Sequence, residues 1–320
     1  MVLIGATLLN ADLVANSRKA LSAAGLADPE GRTTADPSAS PRLHLLVILP
    51  DSDDSYFARL REGITATAPA VGAIVQTELY PSVAPDEATR WFDIGIRAKV
   101  DGIVMYVSRT DRVADRAALA KAAGVVFVAV GKDPPAGTLP CFIGSASLLQ
   151  GYRGGSVIAT KLGSGARIGL ILPASGIERP EGDVLYRGVA ASIAGWKGAG
   201  ILATAFSQPG LLSGEEAAAS LIRAHPGINA IFCANSRDSL GAAQVLVDQN
   251  LVGKIMLVGA DETPELLRYL DKGVIAASVV RDARRIGVEA TRAFGSIKQG
   301  GRSPGTVEVD CSVRFSGAGG

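Results

Sequence analysis

From Leu43 onward, short apolar runs alternate with stretches of helical periodicity. The runs are Leu43–Leu49, Ile74–Leu79, Gly102–Val107, Val125–Val130, Ile168–Leu172, Ile201–Phe206, Ala230–Cys233, Ile255–Val258 and Val274–Val280. Most are continuously apolar and rich in Val and Ile, as parallel strands covered on both faces are. Between them, Ser55–Thr67 sets Phe57, Leu60, Ile64 and then Ala68 at three- and four-residue steps. Ser236–Asp248 likewise gathers Leu240, Ala243, Leu246 and Val247 on one side. Strand followed by helix, repeated this often, predicts βαβ units and parallel sheets.

An open parallel sheet binds ligands outside the carboxyl ends of its strands. The residues that follow each run are therefore the ones expected to carry function. They are Pro50–Tyr56, Ser108–Asp111, Gly131–Asp133, Pro173–Asp183, Ser207–Ser213, Ala234–Asp238 and Gly259–Thr263, and they are rich in Asp, Ser, Asn and Arg. This enrichment points to a polar cleft.

Length adds a second body to the picture. At 320 residues the chain exceeds the size at which one core stops growing, so two lobes are expected. Charge excludes more than it suggests: 32 basic against 31 acidic residues give a net +1, no footprint for gripping nucleic acid or an anionic membrane. The two histidines, His44 and His225, have no nucleophile or ligand partner at useful spacing and are read as structural or solvated. Cys141, Cys233 and Cys311 form no CxxC pair and read as small buried hydrophobes, with one bridge left open as the alternative.

Catalytic and cofactor motifs are absent. No GxxxxGK[ST], GxSxG, HExxH or EF-hand loop occurs, and the glycine-rich stretches Gly151–Gly155 and Gly163–Gly165 lack the spacing of a dinucleotide loop. The chain is read as a non-enzyme without cofactor or metal. Asp51, Asp53 and Asp54 cluster after the first run, where helix capping, ligand binding and metal binding are three open readings. Residues 12–25 suggest one amphipathic helix, and 27–41, rich in Pro, Asp, Thr and Ser, a linker. Met1–Leu9 is a poor secretory signal, lacking a basic segment.

At the strand ends the sequence resembles the family of periplasmic sugar-binding proteins, whose fold is shared by the effector domains of lactose-repressor-type regulators. The residues carrying the resemblance run from about Arg42 to Phe315. They are Leu46-Val47-Ile48-Leu49-Pro50 with Ser55-Tyr56-Phe57, then Val100-Asp101-Gly102-Ile103-Val104 and Ala123-Gly124-Val125-Val126-Phe127-Val128. Ala230-Ile231-Phe232-Cys233-Ala234-Asn235 with Ser239-Leu240-Gly241-Ala242, Val258-Gly259-Ala260-Asp261 and Gly273–Val279 complete them in order.

The resemblance implies an α/β type I periplasmic binding protein: two Rossmann-like lobes with parallel sheets joined by a three-strand hinge. Residues 1–41 would precede a lobe made of 42–146 plus 281–309 and another made of 147–280 plus 310–320. The crossings fall near Ser145–Ser147, Val280–Asp282 and Val309–Ser312. It also implies a solute-binding protein of an ABC-type sugar transporter, closing on a sugar, polyol or cyclitol. Such a protein is a periplasmic monomer whose signal has been removed, and its partner is an ABC permease. Ligand contacts carry over to Asp54, Tyr56, Phe57, Lys132, Asn235, Asp261 and Arg281. Two of these have a structural alternative: Phe57 as the core-facing residue of its own helix, and Asp261 as a cap for the helix near Thr263.

Departures from the family pattern bear on the ligand. Asp54 stands where Asn is common, and the family's Asn-Asp becomes Asn235-Ser236. Leu185 occupies the place of a sugar-binding Arg, leaving Arg179, Arg187 or Arg281 as replacement donors; Leu212 stands where an aromatic is usual. Two rival functions remain open. A transcriptional regulator needs a helix-turn-helix, for which the N-terminal region offers only the basic pair Arg18-Lys19. A sensor's ligand-binding ectodomain is the other.

Overall fold

The structure is a computed structural model, and it describes residues 42–317 apart from 53, 82–83, 85, 108–113, 132–138, 175–179, 181–182 and 209–211. The sequence-expected helix at 12–25 and linker at 27–41 lie outside these residues. The described chain forms two six-stranded sheets. The first holds β1 (Leu43–Asp51), β2 (Ala73–Pro81), β3 (Gly102–Val107), β4 (Val126–Gly131), β5 (Cys141–Ser145) and β11 (Gly305–Val309), in the order β11-β5-β4-β3-β1-β2. The second holds β6 (Arg167–Pro173), β7 (Gly200–Ser207), β8 (Ala230–Cys233), β9 (Met256–Ala260), β10 (Ala277–Arg281) and β12 (Cys311–Phe315), in the order β12-β10-β9-β8-β6-β7.

The two orders match place for place, so the lobes share one topology. All pairings are parallel except that of β12 with β10, which is antiparallel and departs from the all-parallel expectation. One residue joins β11 of the first sheet to β12 of the second, and β12 therefore starts beside the carboxyl end of β10, Cys311 opposite Arg281, and runs back along it.

Continuous apolar runs do what they predict. In β1, Leu45, Val47 and Leu49 face one core, with α1 (Ser55–Thr67) and α9 (Ala283–Lys298) over them. Leu46 and Ile48 face the other, under α2 (Asp86–Arg97) and α3 (Ala114–Ala122). The second sheet repeats this. Ile168, Leu170 and Leu172 pack on α4 (Ser147–Leu162) and α5 (Val184–Ile193). Ile171 and Ile231 pack on α6 (Ser213–Ala224), α7 (Ser236–Asp248) and α8 (Pro264–Asp271).

In each lobe one helix pair packs through glycines. A Cβ on Gly63 of α1 would lie 2.0 Å from the Arg284 carbonyl oxygen of α9. One on Gly151 of α4 would lie 2.1 Å from the Leu185 carbonyl oxygen of α5. Any larger residue would push these backbones apart.

The chain passes between the lobes three times, at Ser145–Ser147, Arg281–Ala283 and Val309–Cys311. These links gather at the carboxyl ends of β5, β10 and β11, beside the cleft. The return strand begins at Ala277, three residues later than its apolar run. All three cysteines are buried and free, so the alternative of one bridge falls away. Burial lifts the Cys141 thiol to about 11, which keeps it a neutral hydrophobe. No described helix is long and apolar enough to cross a membrane.

Candidate functional site

Three charged side chains from distant parts of the sequence meet where the lobes join. Asp54 follows β1 and caps α1, its Oδ1 accepting from the Tyr56 N–H at 3.0 Å. Asp261 follows β9. Its backbone is left-handed, with φ of 62°, a conformation a non-glycine residue adopts only where its surroundings impose it. Those surroundings are visible: the Asp261 N–H donates to the Val279 carbonyl at 3.0 Å, and the Ser278 hydroxyl donates to the Asp261 carbonyl at 2.7 Å. Arg281 is the last residue of β10, at a crossing.

The Arg281 guanidinium grips Asp261 as a fork. Nε donates to Oδ1 at 2.9 Å and Nη2 to Oδ2. Asp54 Oδ2 lies 3.8 Å from the same Nη2, and the Arg281 side chain is only 15% exposed. Beneath it lies the Tyr56 ring, with the guanidinium carbon 4.3 Å from the ring centroid, a cation–π contact. Burial alone would weaken the Arg281 charge, but Asp261 and Asp54 outweigh it and hold the pKa above the ordinary range. Burial pushes the Asp261 carboxyl up, with Arg281 pulling against it. Burial also raises the Tyr56 hydroxyl, whose oxygen is enclosed without a hydrogen-bond partner.

Asn235 has a different neighbourhood. It caps α7, its Oδ1 accepting from the Asp238 N–H at 2.8 Å and its Nδ2 donating to Asp238 Oδ2 at 2.7 Å. Ser207 donates to the same Oδ2 at 2.7 Å. Asp238 is fully buried, and its Oδ1 has no partner among the described residues. Burial therefore raises its pKa, against the two hydrogen bonds. Most of the Asn235 amide is thus committed to the helix, leaving one N–H for anything outside. Asp238, Ser207 and Ser236 fall in the strand-end stretches expected to form a polar cleft but were not among the ligand contacts carried over from the family pattern. The Asn-x-x-Asp spacing of a cap is the signal that points to Asp238.

Tyr56 is buried in the core of the first lobe. Phe57 is partly buried against that core and stacks edge-on to Tyr106 at 4.9 Å, the core-side reading of this residue. Thr263, not Asp261, caps α8, its hydroxyl accepting from Leu266 at 3.0 Å. Leu185 is core, Arg187 and Leu212 are exposed, and of the two described replacement donors Arg281 reaches the cluster. Lys132 and Arg179 lie outside the described residues. His44 bonds Gln76 at 2.9 Å within the first sheet, and His225 ends α6. Among the described residues no group of three or more His, Cys, Asp or Glu is placed to hold a metal.

Across the cleft the lobes touch directly. Ser236 donates to Asp54 Oδ1 at 3.1 Å, and Ser55 to the Glu262 carbonyl at 2.9 Å. The Glu262 carboxylate lies 3.5 Å from Arg59 of the first lobe and 3.1 Å from Arg314 of the second.

Comparison with known proteins agrees with this architecture. The ribose import binding protein RbsB of Escherichia coli is 23% identical over 288 residues, covering 88% of this chain and 93% of that protein. The D-allose-binding periplasmic protein of the same organism is 25% identical over 183 residues, 56% of each chain, so the match spans little more than half of that relative. Among solved structures, GanP, a glucose-galactose binding protein from Geobacillus stearothermophilus, superposes with a TM-score of 0.79 at 22% identity. It covers 87% of this chain and 99% of its own. These relatives are named as binding and import proteins, not as enzymes. The family described as "Periplasmic binding protein domain" matches residues 45–302, and the chain belongs to it.

Proposed function

We propose that the chain is the solute-binding protein of an ABC-type sugar importer, working outside the cytoplasmic membrane as a monomer with a permease as partner. Its ligand is a small polyhydroxylated molecule, a sugar, polyol or cyclitol, held between the lobes. The observation that carries this is the Asp54–Arg281–Asp261 cluster, which draws one charged group from each lobe to a crossing. Charged groups that share partners across a hinge respond to its closure, and a ligand bound by both lobes stabilises the closed arrangement.

Roles follow from the chemistry. Asp54 offers the lone pairs of Oδ2 to ligand hydroxyls, and Arg281 offers the guanidinium hydrogens that Asp261 leaves free. Asp261 acts through Arg281, fixing its orientation, rather than by accepting from the ligand itself. Tyr56 supports the guanidinium from below. Phe57, Lys132 and the remaining N–H of Asn235 complete the contacts carried over from the family pattern. The names of the relatives, which include ribose import proteins, support transport over regulation or sensing.

Thermal unfolding across a library of sugars, polyols, cyclitols and sugar acids tests the reading. A ligand at 100 times its dissociation constant adds about 2.7 kcal/mol, a rise of several degrees in Tm. The expected result is at least one neutral polyhydroxylated hit, whose shift falls to about half or less in Arg281→Gln. A flat response to every compound would refute carbohydrate binding.

A further inference from the structure

Asp54 and Ser236 lie 182 residues apart in sequence and touch across the cleft. Ser236 is the first residue of α7 in the second lobe, 2% exposed, and its hydroxyl donates to Asp54 Oδ1 in the first. The same oxygen accepts from the Tyr56 N–H, while Oδ2 faces Arg281. Asp54 is therefore held from three sides: its own helix, the crossing and the opposite lobe. The helix contact stays when the lobes part, whereas Ser236 and Arg281, the latter anchored on Asp261 of the second lobe, both draw away. The Asp54 and Ser236 side chains are short, so no rotamer change keeps their contact once the backbones move away.

We propose that Ser236 is a positioning residue of the binding cleft. Its hydroxyl aims the Asp54 carboxylate across the closed site, with the donor at 236 and the acceptor at 54. This assignment rests on the binding reading above for its role toward ligand, but not for the closure contact itself. The chemistry at 236 is constrained by 54. A carboxylate at 236 would face the Asp54 carboxylate at hydrogen-bond distance in a poorly solvated place, and like charges there repel. The substitution Asp54→Asn would relieve this by removing one of the two like charges, while the amide oxygen can still accept from the Tyr56 N–H. The charge at 236 is thus tolerated only when 54 is neutral.

Small-angle scattering of the unliganded protein reads the contact without any ligand. Ser236→Asp is expected to enlarge the radius of gyration relative to the parent protein, and Asp54→Asn with Ser236→Asp to return it. Circular dichroism confirms that each variant is folded. Should Ser236→Asp fail to fold, Ser236→Ala takes its place, with a smaller expansion expected. An unchanged radius in the single variant, or a double variant as expanded as the single, would overturn the closure contact.

The ligand arm uses D-ribose and D-allose as probes in calorimetric titration. Loss of a hydrogen bond to a charged group is worth about tenfold in affinity, so Ser236→Ala is expected to weaken binding by about that factor. The double variant is expected to bind more tightly than Ser236→Asp alone. Binding that is equally tight in all variants would overturn the positioning role. If neither sugar binds the parent protein, the ligand proposal loses these two sugars while the scattering result still decides the closure contact.

Discussion

Two buried carboxylates sit just past strands of the second sheet, and they are neutralised in opposite ways. Asp261 meets a guanidinium brought from the end of another strand, with a second carboxylate from the other lobe nearby. Asp238 accepts hydrogen bonds from uncharged donors, Ser207 and Asn235, and all three belong to the second lobe. The first arrangement depends on how the lobes stand, because one of its members moves with the first lobe. The hydrogen bonds of the second need only α7 and β7 to be folded. One cluster spans the two lobes, and the other holds a helix start in place. The difference explains why similar-looking polar residues at strand ends should not be given equal weight as ligand contacts.

Removing Arg281 should have the largest effect. Arg281→Met leaves the Asp261 carboxylate buried without a counter-charge, a loss of about 3 kcal/mol in urea unfolding. Asp261→Asn with Arg281→Met should recover part of this, since the stranded charge is gone. Next comes Asn235→Ala, which removes the cap and a donor to Asp238 together, for about 2 kcal/mol. Its effect should fall on stability and leave the scattering radius as it is in the parent protein. Equal lobe expansion in the Arg281 and Asn235 variants would erase the distinction between the clusters.

Acid gives the smallest and most specific contrast. Asp238 has a raised pKa, so the folded state holds its proton more tightly than the unfolded chain. Its contribution to stability therefore grows as pH falls from neutral toward the unfolded carboxylate value, and fades as pH rises through the folded one. Asp101, at the amino end of β3, behaves in the opposite sense. Burial pushes its carboxyl up, but Lys298 at 2.8 Å and the His44 N–H outweigh this and lower the pKa. Its contribution is present above the unfolded value and lost as pH falls through the folded one. Asp238→Asn should thus make the protein relatively less resistant to mild acid than the parent, and Asp101→Asn relatively more. Urea midpoints between about pH 7 and pH 4 check both signs.

Much of the fold was legible because central strands bury both faces and read as unbroken apolar runs, as β1 and β6 do. The strands that sequence reading passed over were β5, β11 and β12. The last two lie at sheet edges, and β11 alternates exposed and covered positions instead of running apolar. The site was legible as a set of positions, since a parallel sheet dictates that Asp54, Asn235, Asp261 and Arg281 stand past strand ends. The pairing among them was not. That the Arg281 side chain turns to Asp261 depends on the left-handed backbone at 261 and on how adjacent strands end. That Ser236 reaches Asp54 depends on the approach of two lobes, and no local spacing encodes it.

The most direct test of the account is the affinity of Arg281→Gln for the best ligand found by thermal screening, measured by titration calorimetry beside the parent protein. Gln keeps much of the length and a donor but cannot fork onto Asp261 or balance two carboxylates. The expected result is a loss of about tenfold or more, with the variant still folded. Equal affinity in both proteins would place the ligand away from the Asp54–Arg281–Asp261 cluster and contradict the site.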